Sequence, residues 1–312
     1  MNLLYVSLLS LPLLLTQCNS KNNQELIAHH KDYILNDQAP TLSGDNAMYH
    51  AKKLVDMGDR SSESEGFQRQ LTYIEQYLKK CGWVPKTQQF EAETPIKKAH
   101  FCNLRARFGN SINWQKAPEA IVSCHMDTKK GIPGFVGAND GASGVALILE
   151  LARELKKHPD LAKKIEFVFF DGEESFEPHM NEEDGLYGSK YYTNSLQNQL
   201  PQYLINLDMV GRQGMKIKVP SNTPQKMYEV YQKGIKHLGF NKSRWGVAWG
   251  PILDDHVPFQ ERDVEVINII DDFSDGSWWH TKDDNFNILC GDSMKECGQM
   301  TIYMLESLLN HH

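Results

Sequence analysis

The chain has no long tract of one charge sign. No basic run exceeds a Lys-Lys pair, and 40 acidic residues against 33 basic ones leave a net charge of −7 over 312 residues. That balance argues against a nucleic-acid partner. There is no Cys-x-x-Cys, which removes the usual thiolate zinc site, and no His-Glu-x-x-His, which removes the helical zinc-protease signature. The six cysteines, Cys18, Cys81, Cys102, Cys124, Cys290 and Cys297, are irregularly spaced. Internal repeats and low-complexity segments are also lacking.

Apolar residues make up 40% of the chain and aromatics 10%, ample for one α/β domain with a large core. Residues 1–18 are Leu-rich and give way to a polar stretch beginning Asn19-Ser20-Lys21. The apolar run is too short for an ordinary membrane span and reads as a secretory signal. Leu15-Thr16-Gln17-Cys18 resembles a bacterial lipobox, although Gln17 stands where a small residue is usual and no Lys or Arg precedes the run. The expectation is an exported protein, periplasmic or attached to a membrane through a lipidated Cys18. Residues 19–44 read as a flexible spacer and 45–312 as the folded domain. Cys102 and Cys124 both fall on expected strands, as buried thiols or as a bridge.

Asp45 to Met57 and Ser62 to Cys81 carry apolar residues at helical spacing, and Gly82 stops the second. Strands are expected near Val84 to Phe90, Phe101 to Phe108 and Glu119 to Cys124. A Gly-rich loop, 131–144, precedes a helix whose buried stripe is Val145, Ile148, Leu149, Ala152 and Leu155. Ile165 to Phe170 is a short Phe-rich strand running into Asp171-Gly172-Glu173-Glu174. Tyr203 to Leu207 and Val264 to Ile270 are further strands. Thr223-Pro224 predicts a helix start by N-cap and N1 chemistry, and the last helix covers Ser293 to Leu309. Alternating strands and helices imply a three-layer α/β/α domain on a mixed, mostly parallel sheet.

In such a sheet the C-terminal ends of parallel strands share one edge. His125 and Asp127, Glu173 and Glu174, and Asp208 each follow an expected strand, so they should converge. With Asp140, Asp254 and His280 they form an acidic set that cannot stay ionised together without a cation. Oxygen and imidazole donors without thiolate suit a catalytic zinc. Each residue alone would more often be structural, and an isolated Glu-Glu pair is usually a solvated turn. By the same reasoning His29-His30, His179 and His311-His312 read as solvated, and Trp83 as core.

Cys124-His125-Met126-Asp127, Gly137-Ala138-Asn139-Asp140, Phe169-Phe170-Asp171-Gly172-Glu173-Glu174, Gly185-Leu186-Tyr187-Gly188-Ser189, Asp254-Asp255-His256-Val257-Pro258-Phe259 and Trp279-His280-Thr281-Lys282-Asp283-Asp284 occur in that order. As a set they resemble the zinc aminopeptidase superfamily, and within it the glutaminyl-peptide cyclotransferases. The resemblance implies one zinc on Asp140, Glu174 and His280. It implies Glu173 as general acid/base, with Asp208 and Asp254 hydrogen-bonding to it or to the substrate amine. Trp279, and with it Phe273, would wall the pocket. The substrates implied are peptides or proteins with N-terminal glutamine, and a monomer is expected. The chain departs from animal cyclases in three ways. The loop 175–185 has no Trp, with Trp245 or Trp249 as substitutes only if they are not core or surface aromatics. Leu253 replaces a polar residue, and no Cys after Asp140 can pair with Cys124.

The rival reading is a two-zinc aminopeptidase. There His125 and Asp208 complete a second metal site, Asp140 bridges, and Glu173 activates water. A non-catalytic binding domain on the same scaffold is the third reading, disfavoured because such domains lose ligands and this chain keeps all of them.

Overall fold

The computed structural model describes residues 41–309, except 182, 198 and 275. The expected signal, Cys18, most of the spacer, His29-His30 and His311-His312 lie outside the described residues. In chain order come α1 (Gly44–Val55), α2 (Glu65–Lys80), β1 (Trp83–Glu93), β2 (Lys98–Phe108), β3 (Ala120–His125) and α3 (Gly144–Leu155). Then follow α4 (Pro159–Ala162), β4 (Ile165–Phe170), α5 (Tyr187–Ser195), β5 (Tyr203–Asp208), β6 (Ile217–Val219) and α6 (Gln225–His237). The chain closes with β7 (Trp245–Val247), α7 (Val257–Gln260), β8 (Glu265–Ile270) and α8 (Gly291–Leu309). Among the described residues no helix is long and apolar enough to cross a membrane.

The main sheet has the order β1-β2-β4-β3-β5-β8. β4, β3, β5 and β8 run parallel, while β2 is antiparallel to both β1 and β4. The fold is therefore the mixed, mostly parallel α/β architecture expected. Period-two alternation divides the sheet between two cores. Ile165, Phe167 and Phe169 of β4, with Val122, Ile205 and Ile267 beside them, pack on the face covered by α1, α2, α3, α6 and α8. Val168 and Phe170, with Ile121, Leu204 and Val266, face Tyr192 of α5 and Phe259 of α7. Both faces being covered explains why these strands read as continuous apolar runs. Glu166, the one charge on β4, is buried between the Arg105 and Arg107 guanidinium groups.

Local signals set most element ends. Ser43 and Ser64 cap α1 and α2 by accepting the amides of Asn46 (3.2 Å) and Phe67 (3.0 Å). Glu63 has a φ of 69°, which delays α2 three residues past the expected Ser62 start. Two expectations need correction. α3 is buried all round except at Arg153, not along one stripe, because α1 and α8 cover the side that faces away from the sheet. Its buried Glu150 and Glu154 are paired with Arg153 and Lys157 and accept the amides of Ser43 and Thr41. Thr223 does not cap α6; Pro224 is the extended N-cap and the Thr223 hydroxyl donates to Pro220 O. Cys81, Cys102, Cys124 and Cys297 are free buried thiols, so Cys102 and Cys124 form no bridge.

His50 of α1 is buried, with Nδ1 2.6 Å from the Tyr73 hydroxyl of α2. Burial, and then the nearby Arg153 charge, push its pKa down to about 4. The unfolded chain therefore binds this proton at a higher pH than the folded one, and stability falls as pH drops from about 6.5 toward 4. Between pH 7 and pH 5 the wild type should lose about 2 kcal/mol more than His50→Phe, measured by urea denaturation at each pH. Equal losses in the two proteins would refute the assignment.

Candidate active site

Four parallel strands deliver their C-terminal ends to one edge, and the site is built there. His125 closes β3, Glu173 and Glu174 lie just past β4, Asp208 closes β5, and the segment after β8 carries Trp279 and His280. Asp140 comes from the wide turn Ala138–Ser143 ahead of α3. Gly141 in that turn has a φ of 94°, and a Cβ there would stand 2.9 Å from Asp127 O and 3.3 Å from His125 Cε1. Glycine is needed both for the backbone angle and for the close approach of the histidine.

Two sets of donors meet. Asp140, Glu174 and His280 offer atoms within 4.8 Å of one another, and so do His125, Asp140 and Asp208. His280 Nε2 lies 3.3 Å from Asp140 Oδ2 and 3.2 Å from Glu174 Oε2, while His125 Nε2 is 3.1 Å from both Asp140 Oδ1 and Asp208 Oδ1. Asp140 thus belongs to both sets. Burial raises Glu174 and Asp208 from their ordinary values, with Asp140 adding repulsion. Burial acts on Asp140 in the same direction, but His125 and His280 outweigh it and hold it low. Desolvation would push His280 down, yet Asp140 and Glu174 raise it to about 10. These groups draw positive charge to themselves, and buried Asp140 Oδ2 has no hydrogen-bond partner. Oxygen and imidazole donors clustered at this spacing fit zinc.

Glu173 differs from its neighbour. Its carboxyl forms no hydrogen bond or ion pair among the described residues, and it borders a cleft of about 480 Å³. Burial first, then Glu174, Asp254 and Asp255, push its pKa well up against the opposing pull of His125. A carboxyl raised in this way holds a proton more readily and is suited to general acid–base work. Asp208 is turned to His125, not to Glu173. Asp254 accepts from Asn206 Nδ2 (3.0 Å) and Asn268 Nδ2 (2.6 Å), and the Ser123 hydroxyl donates to Asn206 (2.7 Å). Ser123, Asn206 and Asn268 face one another across β3, β5 and β8, so a polar row under the site holds Asp254.

His280 has a φ of 52°, uncommon without glycine. Its ring stacks on Trp279 at 4.0 Å and meets Phe135 edge-on at 5.9 Å. Trp279 packs on Phe273 at 4.8 Å, and both line the cleft. His179 is exposed as expected, but with Pro178 and Met180 it also lines the cleft, in the loop that has no Trp. Trp245 is core and Trp249 is fully exposed, and neither is a cleft wall.

Two positioning residues, Asp284 and Arg60, had no role assigned from the sequence. Asp127 was expected in the site; its carboxylate accepts the amides of Glu173 and Glu174, each at 3.2 Å. Asp284 accepts the amides of Asn139 (2.7 Å) and Asp140 (3.0 Å). Arg60, fully buried, donates to Val136 O (2.8 Å) and Gly137 O (2.9 Å), bracing the same loop. Nothing near Arg60 in sequence marks it, since it lies between two helices far from every motif. Asp284 ends a motif already singled out, so its motif was the available signal.

Residues 109–305 match the family model for peptidase family M28. The chain belongs to peptidase family M28. Within reach of this family it is 31% identical over 247 residues to the Bos taurus glutaminyl-peptide cyclotransferase, covering 65% of each chain. It is 29% identical to the Drosophila melanogaster glutaminyl-peptide cyclotransferase, of which 68% is covered. The chain thus spans about two thirds of the length of these relatives. Among solved structures it is similar to a Porphyromonas gingivalis glutaminyl cyclase, with a TM-score of 0.75, 27% identity and coverage of 86% of this chain and 99% of the other. A Bacteroides thetaiotaomicron leucine aminopeptidase precursor, 23% identical with a TM-score of 0.76 over 88% of this chain and 99% of the other, shares the fold of this M28 domain.

Because Asp127 holds both glutamate amides, Asp127→Asn leaves one acceptor where two are needed. The substitution should weaken zinc affinity about 10- to 100-fold, read by chelator competition, with far-UV circular dichroism unchanged. Unaltered affinity would show that Glu174 is held without it.

Proposed function

We propose that this M28 protein is a zinc-dependent glutaminyl-peptide cyclotransferase that converts N-terminal glutamine to pyroglutamate and releases ammonia. The observation that carries the proposal is the unpartnered, buried carboxyl of Glu173 beside the Asp140, Glu174 and His280 donors, at the floor of an aromatic-walled cleft. Similarity to cyclotransferases along most of the domain supports it.

Asp140, Glu174 and His280 would hold one zinc, which when bound polarises the γ-carboxamide carbonyl as a Lewis acid. The nucleophile is the α-amine of the same residue, so the protein's main task is to fold the side chain back on itself. Trp279 and Phe273 wall the pocket and limit water. Glu173 takes the amine proton as the N–Cδ bond forms and gives it to the departing ammonia as the Cδ–Nε bond breaks. Asp254, fixed by Asn206 and Asn268, would accept a hydrogen bond from the neutral α-amine as it attacks.

One observation favours a second reading. His125, Asp140 and Asp208 form a second donor set with Asp140 shared, as a two-zinc aminopeptidase requires. In that case Glu173 would activate water for peptide hydrolysis. The substrate class is peptides or proteins with N-terminal glutamine in the first reading and peptides in general in the second. We also propose that the protein is exported, possession of the Leu-rich 1–18 stretch being the support, with attachment through Cys18 and a monomeric state as further parts of this reading.

Glu173→Gln should keep its zinc by atomic absorption and lose about 10²- to 10⁴-fold in ammonia release from a Gln-initiated peptide. Surviving activity would remove Glu173 as proton carrier. Release of free amino acid by the wild type, with two zincs bound, would favour the aminopeptidase reading.

A further inference from the structure

The metal donors reach the site by unequal means. Asp140, Glu174 and Asp208 each lie at or close to the end of a strand or the start of a helix. His280 instead comes from the segment 272–283, which has neither strand nor helix among its described residues. Within that segment Trp278 is the one described residue that is buried. Trp279 and His280 follow it directly. Thr281 N and Thr281 Oγ1 then turn back and donate to Trp278 O, at 3.2 and 2.8 Å. Where Trp278 sits therefore sets where His280 arrives.

Packing and one cation hold Trp278. Its buried Nε1 has no hydrogen-bond partner, so no polar bond of the ring fixes it. The ring packs with Met209 and Ile270, and the Arg212 guanidinium lies over it, with Cζ 5.1 Å from the centroid. That distance is within reach of a cation–π attraction. Arg212 is itself locked. Its Nε and Nη2 donate to Oδ2 (2.6 Å) and Oδ1 (3.0 Å) of fully buried Asp271, a two-pronged pairing, and Lys216 N donates to the same carboxylate at 2.7 Å. The Arg212 backbone bridges to Leu289, flanked by Gln213 N to Ile288 O at 2.7 Å and Cys290 N to Gly211 O at 2.8 Å. Arg212 lies just past β5 and Asp271 just past β8, so the pair ties two strand ends together under the turn that carries His280.

We propose that Arg212 is a positioning residue for the metal centre. Stacked on Trp278 and forked onto Asp271, it fixes the turn that brings His280 Nε2 to Asp140 and Glu174, and the Trp279 wall with it. The inference rests on the zinc site of the proposed function and applies equally to the cyclotransferase and aminopeptidase readings. Lysine cannot take this place, because an ammonium carries the charge but neither makes the fork nor lies flat on an indole. An ion pair with a merely structural role would not need an aromatic ring at position 278. A clamp that works through the face of that ring does.

The test is the zinc affinity of the full chain, read by chelator competition, with urea denaturation of the metal-free proteins reporting on folding. Arg212→Lys and Trp278→Leu should each weaken zinc binding about 10- to 100-fold. Trp278→Phe, which keeps an aromatic face and removes the unpartnered N–H, should stay within about threefold of the wild type. Arg212→Met alone would leave the buried Asp271 charge uncompensated, so it is combined with Asp271→Asn, which removes both charges. That double variant should keep its urea midpoint and still lose zinc affinity by a like factor. With cobalt in place of zinc, the visible absorption bands should shift in Arg212→Lys and Trp278→Leu but not in Trp278→Phe. Unchanged zinc affinity in the folded double variant and in Trp278→Leu would overturn the proposal. So would a loss in Trp278→Phe as large as that in Trp278→Leu. A wild-type chain that bound no zinc would instead remove the metal centre itself, and the role of Arg212 with it.

Discussion

The structure is arranged around the confinement of like charges at one edge of a sheet that excludes water. Asp140 is the pivot, because among the described residues it alone pairs with both His125 and His280. Its neighbours Glu174 and Asp208 are each pushed toward the neutral form by burial and by Asp140 itself. A fold that assembles such a set gains stability only when positive charge is shared among them, by imidazolium or by a metal ion. Everything nearby serves to keep these donors from relaxing apart.

That restraint comes mainly from backbone hydrogen bonds made by other acidic side chains. Asp127 fixes the two glutamate amides, and Asp284 fixes the amides of Asn139 and Asp140. Each adds further negative charge to the region. Burial pushes Asp284 up to about 7, with Asp140 raising it further against the pull of its amide donors and Arg60. Arg60 answers part of this demand. Burial lowers its own pKa to about 10, and Asp284, Asp59, Asp140 and Asp127 oppose the drop. The loop that carries Asp140 is thus held between a buried cation and a buried anion, while its glycines allow the approach of His125.

Floor and walls of the cleft obey different constraints. The floor needs particular donor atoms at particular distances, so its residue types are narrow and suit either metal-dependent reading. The walls need only shape and polarity. Phe273, Met180 and Leu253 could be exchanged for other apolar groups, and substrate preference can change there independently, whereas Trp279 stacks on the His280 ring and is tied to the donors. The loop 175–185 illustrates this: Asp184 accepts the amides of Phe176 and Glu177, and Lys129 donates to Ser175 O and Glu177 O, so the loop is firmly anchored while its exposed tip carries His179.

The alternation of apolar runs with amphipathic helices made the layered architecture legible before any coordinates, because period two and period 3.6 are local properties. The same topology brought His125, Glu173, Glu174 and Asp208 together, since parallel strands end on a common edge. The chain order alone could not show that α3 is enclosed on every side, because enclosure depends on which helices arrive from elsewhere. Nor could it show Arg60 under the Asp140 loop, or the Ser123, Asn206 and Asn268 row under Asp254. Those residues act through contacts spanning tens of positions, and their types are ordinary in sequence. Identity and order were written in the chain; which carboxylate stays unpaired, and which others hold it there, depends on distances that exist only once the sheet has formed.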